Sequence, residues 1–353
     1  MPPFFLLKSS RFLLWPFSLL YWLAVSVRNR LYDTGILKST RFAIPIICVG
    51  NLSVGGTGKS PMVEYLAGLL RDRLKVATLS RGYKRRTKGY ALAGPDSTAL
   101  EIGDEPMQFH LKFPDIAVAV GEQRVEAIPQ LLHDRPGTQV IILDDAFQHR
   151  SIRAGLNILL TDYQNLFTRD FYLPAGHLRD QKRSYRRADI LVVTKCPPDM
   201  DGKEKEKLVK EVNPRQGQLI FFTTIDYGEP YHLLSHEKTG IGRDTGVLLV
   251  SGIASPGPLK KRVGDTAGSF SMLQYPDHHI FTIDDLDEIR KKFDGMDMTD
   301  KIVLTTEKDA VRLFKFNKLL NGLPLYVLPV RHRFLFAEGE AFNDRVTGFI
   351  YYF

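Results

Sequence analysis

The sequence predicts an α/β fold in which helices flank a mostly parallel sheet, followed by a second, smaller α/β domain. Three observations predict it. Between residues 44 and 193, six short apolar runs alternate with helix-like segments. A glycine-rich loop, GGTGKS (55–60), joins the first run to the first of these helices, and a further series of apolar runs begins at residue 247. Alternation of strand and helix at this spacing is typical of βαβ units, which build parallel sheets.

The apolar runs of the first series are hydrophobic at successive positions, which is typical of strands buried on both faces of a parallel sheet. They comprise 44–49, 75–79, 116–120, 140–144, 156–160 and 189–193. The later series comprises 247–252, 269–274, 301–306 and 325–330, with helices expected at 284–293 and 307–320. The chain is therefore expected to divide into an N-terminal helix (1–30), a larger α/β domain (31–225) and a smaller α/β domain (226–353).

The composition excludes several classes of protein. With 353 residues, 44% of them hydrophobic and 25% charged, the chain is globular, and disorder, collagen and coiled coil do not fit. Two cysteines, Cys48 and Cys196, exclude a disulfide framework and favour a reducing compartment. Residues 1–100 hold 15 basic and 4 acidic residues, a net charge of +11, whereas the remainder carries −3. This asymmetry indicates an anionic partner, with nucleic acid, anionic lipid and a phosphorylated substrate as candidates.

Residues 12–27 form the most apolar stretch of the chain and carry no charge. This stretch is shorter than the roughly 20 residues that a spanning helix needs, and Pro16 is expected to break or kink a helix. The rings of Trp15, Tyr21 and Trp22 favour the headgroup level of a bilayer, so we expect an interfacial anchor rather than a span. A cleaved signal peptide and an ordinary core helix are the alternatives.

The glycine-rich loop fits a Walker A motif, GxxxxGK[ST], except that Ser53 replaces the first glycine. Its glycines allow backbone N–H groups to curl around phosphate oxygens. Lys59 is expected to reach the β- and γ-phosphates of a nucleotide, and the Ser60 hydroxyl to bind Mg²⁺. The preceding strand and the helix starting near Pro61 are the context that this motif needs, so the fold is expected to be P-loop NTPase-like. The expected nucleotide-binding residues are Ser53, Val54, Gly55, Gly56, Thr57, Gly58, Lys59 and Ser60.

Acidic and histidine residues near strand ends supply further candidates. Asp144 ends an apolar strand, which suits a Walker B carboxylate that holds Mg²⁺. Asp104, in GDEP (103–106), either caps a helix or orients and deprotonates an attacking hydroxyl. His278 and His279 suit a catalytic or substrate-binding histidine, or an ordinary loop histidine, better than a metal site, because adjacent side chains rarely converge on one ion.

Two basic clusters occupy residues 81–89 and 177–187. The first begins at Arg81, directly after a predicted strand, which puts it on the ligand side of the sheet. Solvated loops are the ordinary interpretation of such runs. Nucleic-acid binding is disfavoured, because a nucleic-acid-binding segment is expected to have aromatic residues interleaved with the basic ones, or to belong to a recognised module. A phosphate-bearing lipid, or the membrane surface that contains it, satisfies the same charge.

In their order along the chain, the motifs resemble those of the tetraacyldisaccharide 4'-kinase family. The resemblance extends from the apolar N-terminus to TEKDAVR (306–312), and its central motifs are more specific than the phosphate loop. The motifs are VGNLSVGGTGKSP (49–61), SRGY (80–83), GDEP (103–106), DDAFQHR (144–150), PAGHLRD (174–180) and PDHH (276–279).

The resemblance implies transfer of the ATP γ-phosphate to the 4'-hydroxyl of tetraacyldisaccharide 1-phosphate. The product is lipid IVA, a precursor of lipid A in lipopolysaccharide. It implies ATP and Mg²⁺ as cofactors and a location at the cytoplasmic face of a Gram-negative inner membrane, with residues 12–27 as a peripheral or monotopic anchor. The expected partners are the lipid substrate and the membrane surface, without nucleic acid or an obligate protein partner.

The resemblance also implies roles for individual residues. Asp104 and His278 correspond to a catalytic pair that acts with Lys59, with His279 as the alternative histidine, and Asp144 corresponds to the Walker B aspartate. Asp180 stands where relatives commonly have glutamate, and Ser60 where they commonly have threonine. The implied substrate-binding residues, together with Arg81 from the basic cluster, are Glu105, Arg124, Gln148, His149, Arg179 and Asp180.

A membrane-associated P-loop ATPase or GTPase that acts as a switch is the alternative function. TEKD (306–309) and TKCP (194–197) faintly resemble a base-reading NKxD motif, although neither matches it in full. A switch is expected to hydrolyse nucleotide without lipid, whereas a kinase needs its acceptor.

Overall fold

The computed structural model describes residues 12–253, 256–277 and 279–353. A nine-stranded sheet with helices on both faces forms the larger part, and a five-stranded sheet forms the smaller part. The predicted α/β fold with a mostly parallel sheet and flanking helices is confirmed.

The strands are short, and the central ones are buried along their whole length. They are β1 (Ile46–Asn51), β2 (Val76–Ser80), β3 (Ala91–Leu92), β4 (Ala117–Val120), β5 (Val140–Asp144), β6 (Leu156–Asp162), β7 (Ile190–Thr194), β8 (Leu219–Tyr227), β9 (Tyr231–His232), β10 (Gly246–Ser251), β11 (Ser269–Gln274), β12 (Lys301–Thr306), β13 (Leu325–Leu328) and β14 (Val330–Phe334). The helices are α1 (Trp15–Asp33), α2 (Lys59–Leu70), α3 (Ala99–Ile102), α4 (Asp104–Lys112), α5 (Arg124–Asp134), α6 (Gly202–Val212), α7 (Gly257–Thr266), α8 (Ile283–Asp294), α9 (Glu307–Leu313) and α10 (Gly339–Tyr351).

The larger sheet has the order β14-β8-β7-β6-β1-β5-β2-β4-β3. β1 pairs in parallel with β5 and β6, and all six of its residues are buried. Met62 and Leu66 of α2 pack on one face of this sheet, and Ile128 and Leu131 of α5 pack on the other. Burial on both faces explains why these strands are apolar at successive positions. The carboxyl ends of β1, β5 and β2 therefore meet at one edge, where α/β proteins bind ligands.

The smaller sheet has the order β11-β10-β12-β13-β9. Its first four strands pair in parallel, and β9 is antiparallel to β13. Leu286 and Ile289 of α8 pack in one hydrophobic cluster, and Leu259 and Val263 of α7 pack in another. The smaller sheet thus has its own two-sided core.

The end of the chain returns to the larger sheet, which the sequence patterns do not predict. The apolar run 325–330 is two strands: β13 stays in the smaller sheet, whereas β14 pairs antiparallel with β8. Phe342 of α10 then packs into the core of the larger sheet. The expected helix 307–320 is shorter, because α9 passes into a 3₁₀ turn at Phe314–Phe316. The division at residues 225 and 226 stays a prediction, and β8 runs across that position.

α1 is a continuous helix despite Pro16. Proline is its second residue, where a backbone N–H would have no acceptor within the helix, so the proline breaks no helical hydrogen bond. The buried residues of this helix are polar, Ser18 and Asn29, while Phe17 and Leu20 are about 60% exposed. Within the described ranges, no helix has both the length and the apolarity to cross a membrane. Association of α1 with a membrane remains a prediction.

Candidate active site

The loop between β1 and α2 has the backbone of a phosphate-binding loop. Gly55 has a φ of +108° and Gly58 a φ of +84°, conformations that a Cβ disfavours. Lys59 is the first residue of α2 and Pro61 the third, so the unpaired N–H groups of the first turn lie at the loop. A helix N-terminus carries partial positive charge, which favours a phosphate there.

Side chains from the ends of two strands of the larger sheet, β1 and β7, fix the loop at Thr57. Asn51 Nδ2, at the end of β1, donates a hydrogen bond to Thr57 Oγ1 at 2.9 Å. Thr194 Oγ1, at the end of β7, donates to the Thr57 carbonyl at 2.9 Å. Thr194 belongs to TKCP, so this segment supports the phosphate loop directly.

A buried histidine supports the loop one residue further on. His332 of β14 has Nε2 2.8 Å from the Gly58 carbonyl, and a Cβ on Gly58 would lie 2.9 Å from its ring. Burial lowers the pKa of His332 to about 4, so the ring is neutral near pH 7. Because the carbonyl can only accept, Nε2 carries the proton, and Nδ1 accepts from Thr223 Oγ1 at 2.9 Å.

Two aspartates lie beside the loop at the end of β5. Asp144 is buried, and burial together with the charge of Asp145 raises its pKa to about 6. Ser80 Oγ donates to Asp144 Oδ2 at 3.3 Å. Asp145 lies 3.8 Å from Lys59 Nζ and accepts hydrogen bonds from Arg179. Burial alone would raise the pKa of Asp145, but the positive charges of Lys59 and Arg179 outweigh it and hold this pKa below its usual value.

The Lys59 amine is held in a desolvated, acidic environment. Burial lowers its pKa, and the carboxylates of Asp145, Asp144 and Glu105 oppose that shift. A carboxylate at the start of α4, Glu105, therefore contributes to the electrostatic environment of Lys59. A partly desolvated ammonium in this position binds a phosphate more strongly than one in water, because the local dielectric is low.

The start of α4 is positioned by a close approach of two loops. Gly103 has a φ of +96°, and a Cβ there would lie 3.2 Å from the Cα of Gly82. The loop after β2, which contains Arg81, is therefore packed against GDEP. Asp104 is the first residue of α4, and its Oδ2 accepts hydrogen bonds from Arg312 Nη2 (2.5 Å) and Nε (2.9 Å).

Basic side chains form the other side of the site. Arg124 is almost fully buried, with Nη1 2.8 Å from the Gly121 carbonyl and Nη2 3.3 Å from the Asp144 carbonyl. Burial lowers the pKa of this guanidinium to about 10, so it stays charged. Burial and the charges of Arg124 and Arg81 lower the pKa of His149 to about 4. His149 is therefore neutral near pH 7 and lies in a strongly positive field.

The chain that forms the phosphate loop, the two aspartates at the end of β5 and a basic wall (Arg124 and His149) matches one family over nearly its whole length. The family model described as tetraacyldisaccharide-1-P 4'-kinase matches residues 10–350. The chain belongs to the tetraacyldisaccharide 4'-kinase family.

Relatives in this family are similar over nearly their full length. The tetraacyldisaccharide 4'-kinase of Bacteroides thetaiotaomicron is 42% identical over 351 residues, which cover 96% of this chain and 92% of the relative. That of Flavobacterium johnsoniae is 45% identical over 326 residues, covering 92% and 93%. The crystal structure of LpxK from Aquifex aeolicus in complex with ATP has a TM-score of 0.75 and 31% identity, and covers 98% of this chain and 100% of its own. The predicted family and fold are confirmed.

The residues around Asp144 fit a magnesium ion bound together with a nucleotide. Within the described parts of the chain there is no group of three or more acidic, histidine or cysteine side chains that could hold a metal. Mg²⁺ does not need one, because it is commonly held by one or two protein oxygens together with phosphates and waters. The raised pKa of the buried Asp144 carboxylate shows that positive charge there is favourable. The Ser60 hydroxyl, on the first turn of α2, would supply the second oxygen, and this role stays a prediction.

Arg179 and Asp180 face different surroundings although they are adjacent. Arg179 lies in the site, with Nη2 2.6 Å from Asn51 Oδ1 and further hydrogen bonds to Asp145. The Asp180 carboxylate is only 1% exposed and accepts hydrogen bonds from Asn29 Nδ2 (2.8 Å) and Arg187 Nη2 (2.9 Å). Asp180 therefore fastens α1 to the domain, and its predicted contact with substrate stays a prediction.

His278 lies outside the described residues. His279 is described: its Nε2 lies 2.9 Å from Asp285 Oδ2 at the start of α8, and its ring stacks on Tyr275 at 4.7 Å. His279 lies close to Gly252, where a Cβ would lie 3.4 Å from His279 Cβ and 3.2 Å from Asp309 Oδ1. The catalytic role of His278, with His279 as the alternative, stays a prediction.

Among the residues that contact the site without having been candidates from the sequence, two come from distant parts of the chain. His332 and Arg312 contact Gly58 and Asp104 from sequence distances of more than 200 residues. His332 carries no motif of its own. Arg312 ends the TEKDAVR stretch, so the family resemblance includes this segment, although it implied no role for the arginine side chain.

Proposed function

We propose that this chain phosphorylates the 4'-hydroxyl of a tetraacyldisaccharide 1-phosphate with ATP, which gives lipid IVA in lipid A biosynthesis. The observation that carries the proposal is the phosphate loop beside Asp144 and Asp104 in a member of the 4'-kinase family. In the transfer, the acceptor oxygen bonds to the γ-phosphorus, the bond from γ-phosphorus to the bridging oxygen of ADP breaks, and the hydroxyl proton goes to a base of the protein.

Residues 53–60 are proposed to hold the ATP phosphates. The N–H groups of the loop and of the first turn of α2 contact phosphate oxygens, and Lys59 neutralises charge on the β- and γ-phosphates. In the structure Lys59 lies 3.8 Å from Asp145. A triphosphate competes with that aspartate for the ammonium, because its charge is higher.

Ser60 and Asp144 are proposed to hold Mg²⁺. Magnesium bound there would neutralise charge on the phosphates during transfer. The protein supplies the buried carboxylate at the end of β5 and the hydroxyl at the start of α2. Ser80 fixes Asp144 through a hydrogen bond of 3.3 Å to Oδ2.

Asp104 is proposed to take up the proton of the acceptor hydroxyl together with His278, or with His279 in its place. A carboxylate–imidazole pair suits a base that acts near neutral pH. Asp104 lies at the N-terminus of α4, where the adjacent Glu105 interacts electrostatically with Lys59. The attacking hydroxyl and the γ-phosphate can therefore meet between α4 and the phosphate loop.

The basic wall is proposed to bind the phosphorylated disaccharide. The buried guanidinium of Arg124 and the neutral ring of His149 offer hydrogen-bond donors in a positive field. Gln148 Nε2 donates to the Asn51 carbonyl at 2.7 Å, which ties this wall to the end of β1. The proposed substrate-binding residues are Arg81, Glu105, Arg124, Gln148, His149, Arg179 and Asp180.

α1 is proposed to anchor the protein at the cytoplasmic face of the inner membrane beside the active site. Polar side chains attach this helix to the rest of the protein: Ser18 Oγ donates to the Tyr172 carbonyl at 2.9 Å, and Arg28 Nη2 donates to the Gln148 carbonyl at 2.8 Å. Its apolar residues face outward, and Leu20 is 64% exposed. An apolar outer face with basic neighbours suits the interface of an anionic bilayer. The lipid substrate can then keep its acyl chains in the membrane while its sugar enters the site.

The test is transfer of label from γ-labelled ATP to tetraacyldisaccharide 1-phosphate in detergent, with Mg²⁺, followed by thin-layer chromatography of the lipid. We expect acceptor-dependent labelling by the wild type, and almost none by folded Lys59→Ala or Asp104→Ala protein. A folded, ATP-binding wild type that labels no lipid would refute the proposed substrate. Near-normal labelling by Asp104→Ala would remove Asp104 from the mechanism.

A further inference from the structure

Arg312 connects the smaller sheet to the proposed catalytic aspartate. It lies on α9, directly after β12 of the smaller sheet, and is 7% exposed. Its Nη2 and Nε lie 2.5 and 2.9 Å from the same oxygen of Asp104, Oδ2, on α4. Two donors that converge on one oxygen restrict both the position and the rotation of the carboxylate.

The guanidinium is itself held from behind by a buried carboxylate. Arg312 Nη1 lies 3.2 Å from Asp309 Oδ1, and the Asp309 side chain has no solvent exposure. Asp309 Oδ2 in turn accepts hydrogen bonds from the backbone N–H of Gly252 (3.0 Å) and from Thr306 Oγ1 (2.7 Å). The orientation of Arg312 is therefore set by the ends of β10 and β12, not by solvent.

The same network reaches the segment that carries the candidate histidines. Gly252 packs against the Pro276 carbonyl and His279 on one side and against Asp309 on the other, and Asp309 in turn holds Arg312. Asp104 is thus linked through Arg312 and Asp309 to the loop that carries the histidine proposed to act with it. A structural tie between α4 and α9 exists separately, because Lys112 Nζ contacts Glu307 Oε1 at 2.5 Å.

We propose that Arg312 is a positioning residue for the phosphoryl transfer: it holds the Asp104 carboxylate in the orientation in which it accepts the proton of the acceptor hydroxyl. This inference rests on the proposed function, since Arg312 acts through Asp104. Within the described parts of the chain its side chain bonds to Asp104 and Asp309 and not to residues 53–60, so we expect its effect on the chemical step and not on ATP binding.

The experiment compares Arg312→Gln, Arg312→Lys, Asp104→Asn and the double variant Asp104→Asn/Arg312→Gln in the full chain, with kcat and the KM of each substrate. We expect Arg312→Gln to lower kcat roughly 10- to 100-fold, because misplacement of a reacting group has effects of this size. The KM for ATP should stay within about twofold, and Arg312→Lys should recover part of the loss. In the Asp104→Asn background, Arg312→Gln should cause no further fall.

Lys315→Ala is the matched control. It also removes one positive charge, but from an exposed side chain that lies three residues after Arg312. It should leave kcat unchanged, and circular dichroism should show each variant folded. If Arg312→Gln does not fold, Arg312→Lys carries the test: it keeps the charge but loses the two-donor geometry, so its kcat should fall with the KM for ATP unchanged.

Three results would overturn the inference. The first is an unchanged kcat in Arg312→Gln or in a folded Arg312→Lys. The second is an equal fold-loss of kcat when Arg312→Gln is made in the wild type and in the Asp104→Asn variant, and the third is an effect confined to the KM for ATP. Failure of the proposed function is distinct, because then the wild type itself would transfer no phosphate to the lipid.

Discussion

Replacing Lys112 with methionine should destabilise the protein, because it leaves two carboxylates buried without their cation. Lys112 Nζ lies 2.5 Å from both Glu64 Oε2 and Glu307 Oε1. Those two side chains are only 4% and 5% exposed, and Gln108 Nε2 also donates to Glu64 at 2.6 Å. The contact joins α2, α4 and α9, so it fastens the phosphate-loop helix to the helices that carry Asp104 and Arg312.

The size of the effect follows from this burial. Removing one partner of a buried ion pair typically costs about 3–5 kcal/mol, because the remaining charge stays desolvated. Lys112 itself is partly exposed, which admits water to the site, so we expect a loss near the lower end, about 3 kcal/mol. The measurement is urea unfolding of detergent-solubilised protein, followed by circular dichroism at pH 8.

Lys205→Met is the matched control. Lys205 Nζ lies at the same distance, 2.5 Å, from a single carboxylate, Glu338, whose side chain is 29% exposed. Water reaches this carboxylate more easily than Glu64 or Glu307, and exposed pairs contribute only about 0.2–1 kcal/mol, so this substitution should cost less than Lys112→Met. An equal and small loss in both variants would refute the argument from burial.

The effect of Lys112→Met should also depend on pH. Burial and the charge of Glu307 raise the pKa of Glu64 to about 7, against the opposing influence of Lys112. The folded state therefore binds a proton at Glu64 more tightly than the unfolded chain, and stability falls as pH rises towards 7. Without Lys112 the pKa rises further, so the destabilisation should be larger at pH 8 than at pH 6. A pH-independent difference would contradict this assignment.

Three further predictions concern the phosphate loop and α1. His332→Ala removes the hydrogen bond to Gly58, so ATP affinity measured by calorimetry should fall roughly 3- to 10-fold, and an unchanged affinity would contradict that support. Gly58→Ala combines a φ of +84° with a Cβ 2.9 Å from the His332 ring, so a folded variant should bind ATP more than about tenfold more weakly. Trp15→Ser with Phe17→Ser removes two exposed apolar side chains, so sedimentation with anionic vesicles should fall while the KM for ATP stays unchanged; undiminished sedimentation would exclude this face as the anchor.

The local parts of the site were predictable from the sequence. The phosphate loop, Lys59 and Asp144 depend on contiguous patterns, a strand followed by glycines and a helix, or a strand that ends in an acid. The backbone forms those elements wherever the pattern occurs, so the structure has the loop, the start of α2 and the end of β5 close to the expected residues.

Long-range contacts were not predictable in the same way. β14 pairs with β8 across about 100 residues of chain, and its alternation of exposed and buried residues is compatible with either sheet. His332 therefore reaches Gly58 by a pairing that no local pattern specifies. TEKD had suggested a weak base-reading motif, but Thr306 caps α9 and Asp309 binds Gly252 and Arg312. The hydrogen bond from Asn29 to Asp180 was not predictable either, because it depends on the packing of α1 against a segment about 150 residues away in the sequence.

The most direct test of the central claim measures ADP release and phosphorylated lipid in the same reaction, with and without tetraacyldisaccharide 1-phosphate. A kinase with this site should release one ADP for each phosphate that enters the lipid, and very little ADP without the acceptor. Rapid ADP release that is independent of the acceptor, with no phosphate in the lipid, would contradict the account and favour a nucleotide-driven switch.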